Sequence, residues 1–171
     1  MEMVVFLLII VGVLAFIGNA LGEGEKYREV TKSNHEKIMS GEGLPFVPTS
    51  YIKNTFSDIT LYIDKNTQKL AFVNLERYGI SIYRFDEIID CAILEDGATI
   101  VTAIALMSPT KPISLSLSVR IITSNIDHPL YEIPLITSST KRDSVPYKQK
   151  VKFAQEVYAT IISIINSKKS E

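Results

Sequence analysis

The polarity of the chain changes along its length, and its first segment is the most apolar. Residues 3–22 carry no charged side chain and are apolar on every side of a helix. At a rise of 1.5 Å per residue, about 20 residues span roughly 30 Å, the thickness of a bilayer's hydrocarbon core. The pattern predicts a transmembrane helix over residues 1–22, with residues 3–22 in contact with the membrane.

The flanking charges predict how this helix is oriented. No Lys or Arg precedes the segment, whereas Lys26 and Arg28 follow it closely. By the positive-inside rule, the chain is a single-pass protein of the cell membrane with its C-terminal domain in the cytoplasm. Two alternatives stay open: a buried core helix, or a signal peptide cleaved near Gly18-Asn19-Ala20, which would make the protein secreted.

A polar stretch follows the apolar segment. Residues 23–50 contain mixed charges, several glycines and the prolines Pro45 and Pro48. A helix over Glu25–Met39 is possible, but its apolar positions are too sparse for a clear stripe. We therefore interpret residues 23–50 as a solvated juxtamembrane linker, and residues 51–171 as the folded domain.

Beyond the linker, apolar and polar residues alternate with the period of a β-strand. Turn-forming residues, at Asp64–Thr67 and Glu95–Gly97 among others, separate the alternating runs. Pro134 removes a hydrogen-bond donor, so we place it at a sheet edge or bulge. The predicted strands are 59–63, 69–75, 80–85, 88–94, 99–107, 114–121 and 130–137.

The most regular of these strands is Ser114–Ile121. Leu115, Leu117 and Val119 form an apolar face, and serines alternate with them. Such a two-sided pattern is typical of an antiparallel strand with one buried face, rather than of a parallel sheet.

The last segment changes to the period of a helix. Ser144 and Pro146 mark its start, because Pro is tolerated in a first helical turn. Its apolar residues recur at intervals of three and four, which predicts an amphipathic helix that covers the sheet or lies on a membrane surface. We favour the sheet, since its apolar face needs a cover. The apolar positions are Val151, Ala154, Val157, Tyr158, Ile161, Ile164 and Ile165.

This order of elements predicts an α+β fold: an antiparallel sheet or partly open barrel capped by a C-terminal amphipathic helix. It resembles the pleckstrin-homology-like (PH-like) superfold. The stretch Ile80–Gly97 is similar to strands of bacterial PH-like domains found in proteins that also carry a membrane segment. The resemblance implies the fold and identifies no binding residue.

The amino-acid composition excludes some classes of site and partner. Lys and Arg number 18 and Asp and Glu 19, so the net charge of −1 gives no sign of a nucleic-acid partner. Hydrophobic residues make up 46%, which is typical of a globular protein. A single cysteine excludes an internal disulfide and a Cys-rich zinc site.

Few residues are candidates for chemistry. Cys91 lies within a strand pattern and is interpreted as a core residue, while His35 and His128 are expected to be exposed. The carboxylates Asp86, Glu87, Asp90, Glu95 and Asp96 cluster in the sequence, and we expect them in solvated turns. No phosphate-binding, nucleophile-elbow or metalloprotease motif occurs. We therefore predict no catalytic, cofactor-binding or metal-ligating residue, and no cofactor.

These observations favour a membrane-anchored, non-enzymatic interaction module whose partner is a protein or a lipid headgroup. The alternative is a small-ligand-binding protein or an enzyme whose site is assembled from residues distant in sequence. An open sheet edge would favour the first hypothesis. A deep pocket with convergent polar groups would favour the second.

Overall fold

The computed structural model of the protein describes residues 29–42, 44–54, 59–74, 79–100 and 112–168. Antiparallel sheets combine there with a helix α1 over residues 29–39 and a C-terminal helix α2 over Val145–Lys168. The predicted α+β class, antiparallel pairing and C-terminal helix are thus confirmed. The predicted transmembrane segment, residues 3–22, lies outside the described residues. No helix in the described part of the chain has the length and apolarity needed to cross a bilayer.

The described strands form two four-stranded sheets and one short ribbon. The first sheet is a meander in the order β1-β2-β3-β4, with β1 at Ser50–Lys53, β2 at Ile59–Asp64, β3 at Lys69–Asn74 and β4 at Gly79–Arg84. The second has the order β6-β5-β8-β9, with β5 at Ile88–Glu95, β6 at Ala98–Ile100, β8 at Leu117–Thr123 and β9 at Leu130–Ile136. The ribbon pairs β7, Ile113–Ser114, with β10, Thr140–Lys141.

The two predicted turns form by local chemistry. After β2, Asp64 Oδ1 accepts a hydrogen bond from the backbone N of Asn66 (2.9 Å), and Oδ2 accepts one from the Thr67 hydroxyl (2.6 Å). Between β5 and β6, Asp96 and Gly97 have φ values of 51° and 81°. Both residues are therefore left-handed, the conformation that a two-residue hairpin requires and that Asp-Gly favours.

Pro134 lies where its missing donor is tolerated. β9 is an edge strand of the second sheet, and its register with β8 shifts between the pairs Leu117–Ile136 and Ser118–Pro134. The proline is therefore at both an edge and a bulge, as predicted.

Helix α2 closes a single large core between the two sheets. Its side chains Val157 and Ile161 are fully buried in one cluster with Leu61 of β2 and with Val119 and Ile121 of β8. The predicted packing of this helix on the sheet is confirmed, because its apolar stripe meets inward-facing strand residues.

Part of the predicted linker is a packed element instead. Ile38 of α1 is fully buried against Tyr62, Ala71 and Val73 on the outer face of the first sheet. Leu44 and Phe46 extend this second cluster. The solvated linker predicted for residues 23–50 is therefore wrong for the described residues 29–42 and 44–50, because a few large apolar side chains anchor the segment.

The predicted strand Ser114–Ile121 is interrupted. Asp96 Oδ1 accepts hydrogen bonds from the backbone N atoms of Leu115 (2.8 Å) and Ser116 (3.0 Å), which draws them out of the sheet. Leu115 is consequently 63% exposed instead of buried. Residues 99 and 100 of the predicted strand 99–107 lie in β6, and residues 101–111 lie outside the described chain.

Candidate functional site

An open groove of about 600 Å³ runs between β1 and α2. Three consecutive residues of β1, Ser50, Tyr51 and Ile52, line it. Successive side chains of a strand point to opposite faces, so a groove that touches three in a row reaches the edge of the strand. It also extends past Lys65 and Gln68 of the β2–β3 turn to Phe85, across the end of the first sheet. Within the described chain β2 is the sole strand that pairs with β1, which leaves the other edge of β1 unpaired there.

The floor of the groove is apolar. Ile52 and Ile63 come from the first sheet, Phe85 from the 3₁₀ turn after β4, and Ile164 from α2. These residues belong to the main core or pack against it, so the floor is held by the fold. It can receive an apolar side chain without rearrangement of the sheet.

The α2 wall consists of small and hydroxylated residues. Ala159, Thr160, Ser163 and Ser167 line the groove, and their spacing of three and four places them on one side of the helix. Small side chains leave room for a polypeptide backbone, and hydroxyls both donate and accept hydrogen bonds. The sequence pattern placed Ser163 on the polar side of α2, but it gave no sign that β1 lies opposite.

Charge in the groove comes from one residue. Lys65 is the sole lining residue with a formal charge among those described. Its backbone N donates to Thr49 Oγ1 (3.2 Å), which fixes the β2–β3 turn beside the start of β1. A second cavity of about 200 Å³ lies past the other end of β1, where Lys53 and Lys152 line it.

An aromatic cluster lies beside the groove and joins α1 to the first sheet. His35 Nδ1 is 2.6 Å from the hydroxyl of the buried Tyr62, and the His35 ring meets the Tyr51 ring edge to face at 4.7 Å. Burial, followed by the charge of Lys53, lowers the pKa of His35. His35 was expected to be an exposed linker residue; it is half-buried because its partners come from β1 and β2.

The other candidate residues are dispersed. Cys91 is buried in the main core as predicted, and burial raises the pKa of its thiol to about 12, so it is a poor nucleophile. His128 is exposed in the β8–β9 loop, where its carbonyl accepts a hydrogen bond from the Thr123 hydroxyl (2.7 Å). Neither residue faces the groove.

The acidic cluster is only partly solvated. Glu95 is buried, with Oε1 accepting from the Tyr147 hydroxyl (2.9 Å) and lying 3.0 Å from an Arg142 guanidinium nitrogen. Burial and then the Glu95 carboxylate raise the pKa of Tyr147. The solvated turn predicted for Glu95 is therefore wrong, since its partners lie on a segment distant in sequence and could not be read locally.

Of the remaining carboxylates, Asp86 and Asp90 make local contacts, whereas Asp96 lies 3.7 Å from the distant Arg142. Asp86 pairs with Arg84 at the protein surface, and Asp90 is exposed at the start of β5. No group of three or more histidines, cysteines or carboxylates arranged for a metal ion occurs in the described ranges.

Comparisons of the chain with protein-family models, curated proteins and solved structures gave no match. The PH-like resemblance is accordingly a prediction, and the groove is interpreted from its own chemistry.

Proposed function

We propose that this chain is a membrane-anchored, non-enzymatic interaction module that binds an extended segment of a partner along β1. The observation that carries the proposal is the groove that reaches the unpaired edge of β1. An added strand hydrogen-bonds to such an edge through its backbone, while its alternate side chains enter neighbouring pockets. Here the apolar floor and the hydroxylated α2 wall supply those pockets.

The composition of the groove supports binding rather than catalysis. Its described lining residues include no carboxylate, histidine or cysteine to act as general base or nucleophile. Cys91 and Tyr147, whose pKa values are strongly raised, are buried in the core, away from this surface.

The finer architecture is part of the same proposal. Two four-stranded antiparallel sheets followed by a packed C-terminal helix support the PH-like resemblance. The apolar residues 3–22 support a single membrane span, and the lysines and arginines that follow support a cytoplasmic domain.

Filling the groove tests the binding function. The full chain in detergent micelles would be panned against a displayed library of random ten-residue peptides. Ser163→Trp places a large ring against β1, whereas Asn166→Trp adds the same ring to an exposed α2 position that does not line the groove. Peptides selected on the wild type should bind Asn166→Trp and lose binding to Ser163→Trp. No selection, or equal binding to both variants, would contradict the proposal.

Protease accessibility tests the anchor. Protease added outside intact cells should leave the domain whole, and permeabilised cells should lose it. Digestion in intact cells, or a mature N-terminus near Leu21 by mass spectrometry, would show that the orientation or the anchor is wrong.

The volume of the groove also fits a small molecule, since ligand pockets span roughly 300–1,000 Å³. A small apolar ligand would occupy the floor without using the β1 backbone. Its signature is displacement of the selected peptides by apolar compounds that carry no amide groups.

A further inference from the structure

Both ends of β1 are positively charged. Lys65 lies beside the first residues of the strand, where its backbone N reaches Thr49. Lys53 is the last residue of β1 and lines the second cavity together with Lys152 of α2. A lysine residue therefore lies at each end of β1.

Negative charge is sparse among the residues that line the two cavities. Among the described residues that line the two cavities, Glu156 is the sole carboxylate. It lies 3.8 Å from Lys152 Nζ and so offsets that lysine, leaving Lys53 and Lys65 uncompensated by any lining group. Complementary charge at such a surface speeds association and selects the partner.

We infer that the occupant of the groove is an acidic, extended segment of another protein, added to β1 as a strand. This inference rests on the proposed function and names the partner's chemistry. The four residues of β1 span about 13 Å at about 3.3 Å per residue. Carboxylates about four or five positions apart in the ligand can then face Lys65 and Lys53, with an apolar side chain between them above Ile52.

Repulsion between lysines disfavours binding of a second copy of the chain in the groove. Antiparallel pairing of two β1 edges brings Lys53 of one copy next to Lys65 of the other at each end. Like charges placed opposite one another across strands are destabilising. An acidic partner, by contrast, is attracted electrostatically to the same two lysines.

The test uses the full chain in detergent micelles and the same displayed library of random peptides. Selected peptides should carry acidic residues four or five positions apart, with β-branched or aromatic residues between them. A synthetic copy of the most enriched peptide should bind the double variant Lys53→Glu/Lys65→Glu about tenfold more weakly or worse, because attraction becomes repulsion at both ends. Lys141→Glu, an exposed lysine of β10 outside both cavities, is the matched control and should bind like the wild type.

The outcomes distinguish failure of this inference from failure of the proposed function. Neutral or basic selected peptides that still lose binding to Ser163→Trp would overturn the acidic partner and leave strand addition standing. Peptides indifferent to Ser163→Trp would overturn both. Release of the bound peptide when phosphatidylserine is added to the detergent micelles, but not when phosphatidylcholine is added, would assign the lysines to a lipid headgroup and also overturn the inference.

Discussion

Arg142 and Arg120 each pair with a glutamate, and the two pairs differ in their exposure to water. The Arg142 and Glu95 side chains are 15% and 3% exposed, whereas those of Arg120 and Glu132 are 40% and 42% exposed. Removing one partner of a buried pair leaves the other charge without compensation, while an exposed charge is solvated by water. Burial therefore decides how much each pair contributes to stability.

We expect Arg142→Met to lower the free energy of unfolding by about 3–5 kcal/mol. Arg120→Met, the matched change in the exposed pair, should cost at most about 1 kcal/mol. Urea unfolding of the chain lacking residues 1–28 measures both. Similar losses for the two variants would mean that Glu95 is hydrated in solution.

His35 gives the contact between α1 and the first sheet a dependence on pH. Its pKa in the folded protein lies below the ordinary value of 6.5, chiefly because the ring is partly buried. The unfolded chain therefore takes up the proton first as the pH falls. Protonation of His35 therefore does not reduce the free energy of unfolding above about pH 7. The free energy of unfolding declines as the pH drops through 6.5.

The free energy of unfolding of the wild type should fall more between pH 7 and pH 5 than that of His35→Gln. His128→Gln removes an exposed histidine and should follow the wild-type profile. Urea unfolding at several pH values gives the three curves. Parallel curves for wild type and His35→Gln would contradict the argument.

At the scale of elements, the sequence predicts the strands, turns and helices that form from residues close together in the chain. The strands β2, β3 and β4, the Asp-Gly hairpin and the helical stripe of α2 follow from local patterns, and the structure confirms them. Docking of α1 depends on Ile38 meeting β2 and β3, and burial of Glu95 depends on Arg142, which lies far along the chain. The groove needs β1 opposite α2, so no local pattern identifies it.

Helix α2 should contribute a large part of the stability through its buried side. Ile161 is fully buried, and Ile161→Ala should cost about 2–5 kcal/mol through lost contacts and the cavity left behind. Gln155 lies on the polar side of α2. Its buried Nε2 has no hydrogen-bond partner among the described residues, so its removal breaks no hydrogen bond there. Gln155→Ala should therefore cost less than about 0.5 kcal/mol. Equal urea midpoints for the two variants would show that α2 is not part of the core.

At the scale of the whole molecule, both faces of the first sheet are covered. α2 and the second sheet bury its inner face, and α1 with Leu44 and Phe46 buries its outer face. The folded unit therefore includes residues before 50 as well as those after it.

Truncation should reveal where the folded unit begins. A chain of residues 29–171 retains Ile38, Leu44 and Phe46 on the outer face of the first sheet, and we expect cooperative unfolding. A chain of residues 50–171 loses all three, each worth about 1.5–3 kcal/mol of burial, and exposes apolar residues of β2 and β3. Against a total of about 5–15 kcal/mol, that loss should lower the urea midpoint strongly and produce binding of an apolar dye. Ile38→Ala in the longer chain should fall between the two, because it removes one of these contacts. If both chains share one midpoint and neither binds the dye, α1 is not docked in solution, and the outer face of the first sheet needs no cover.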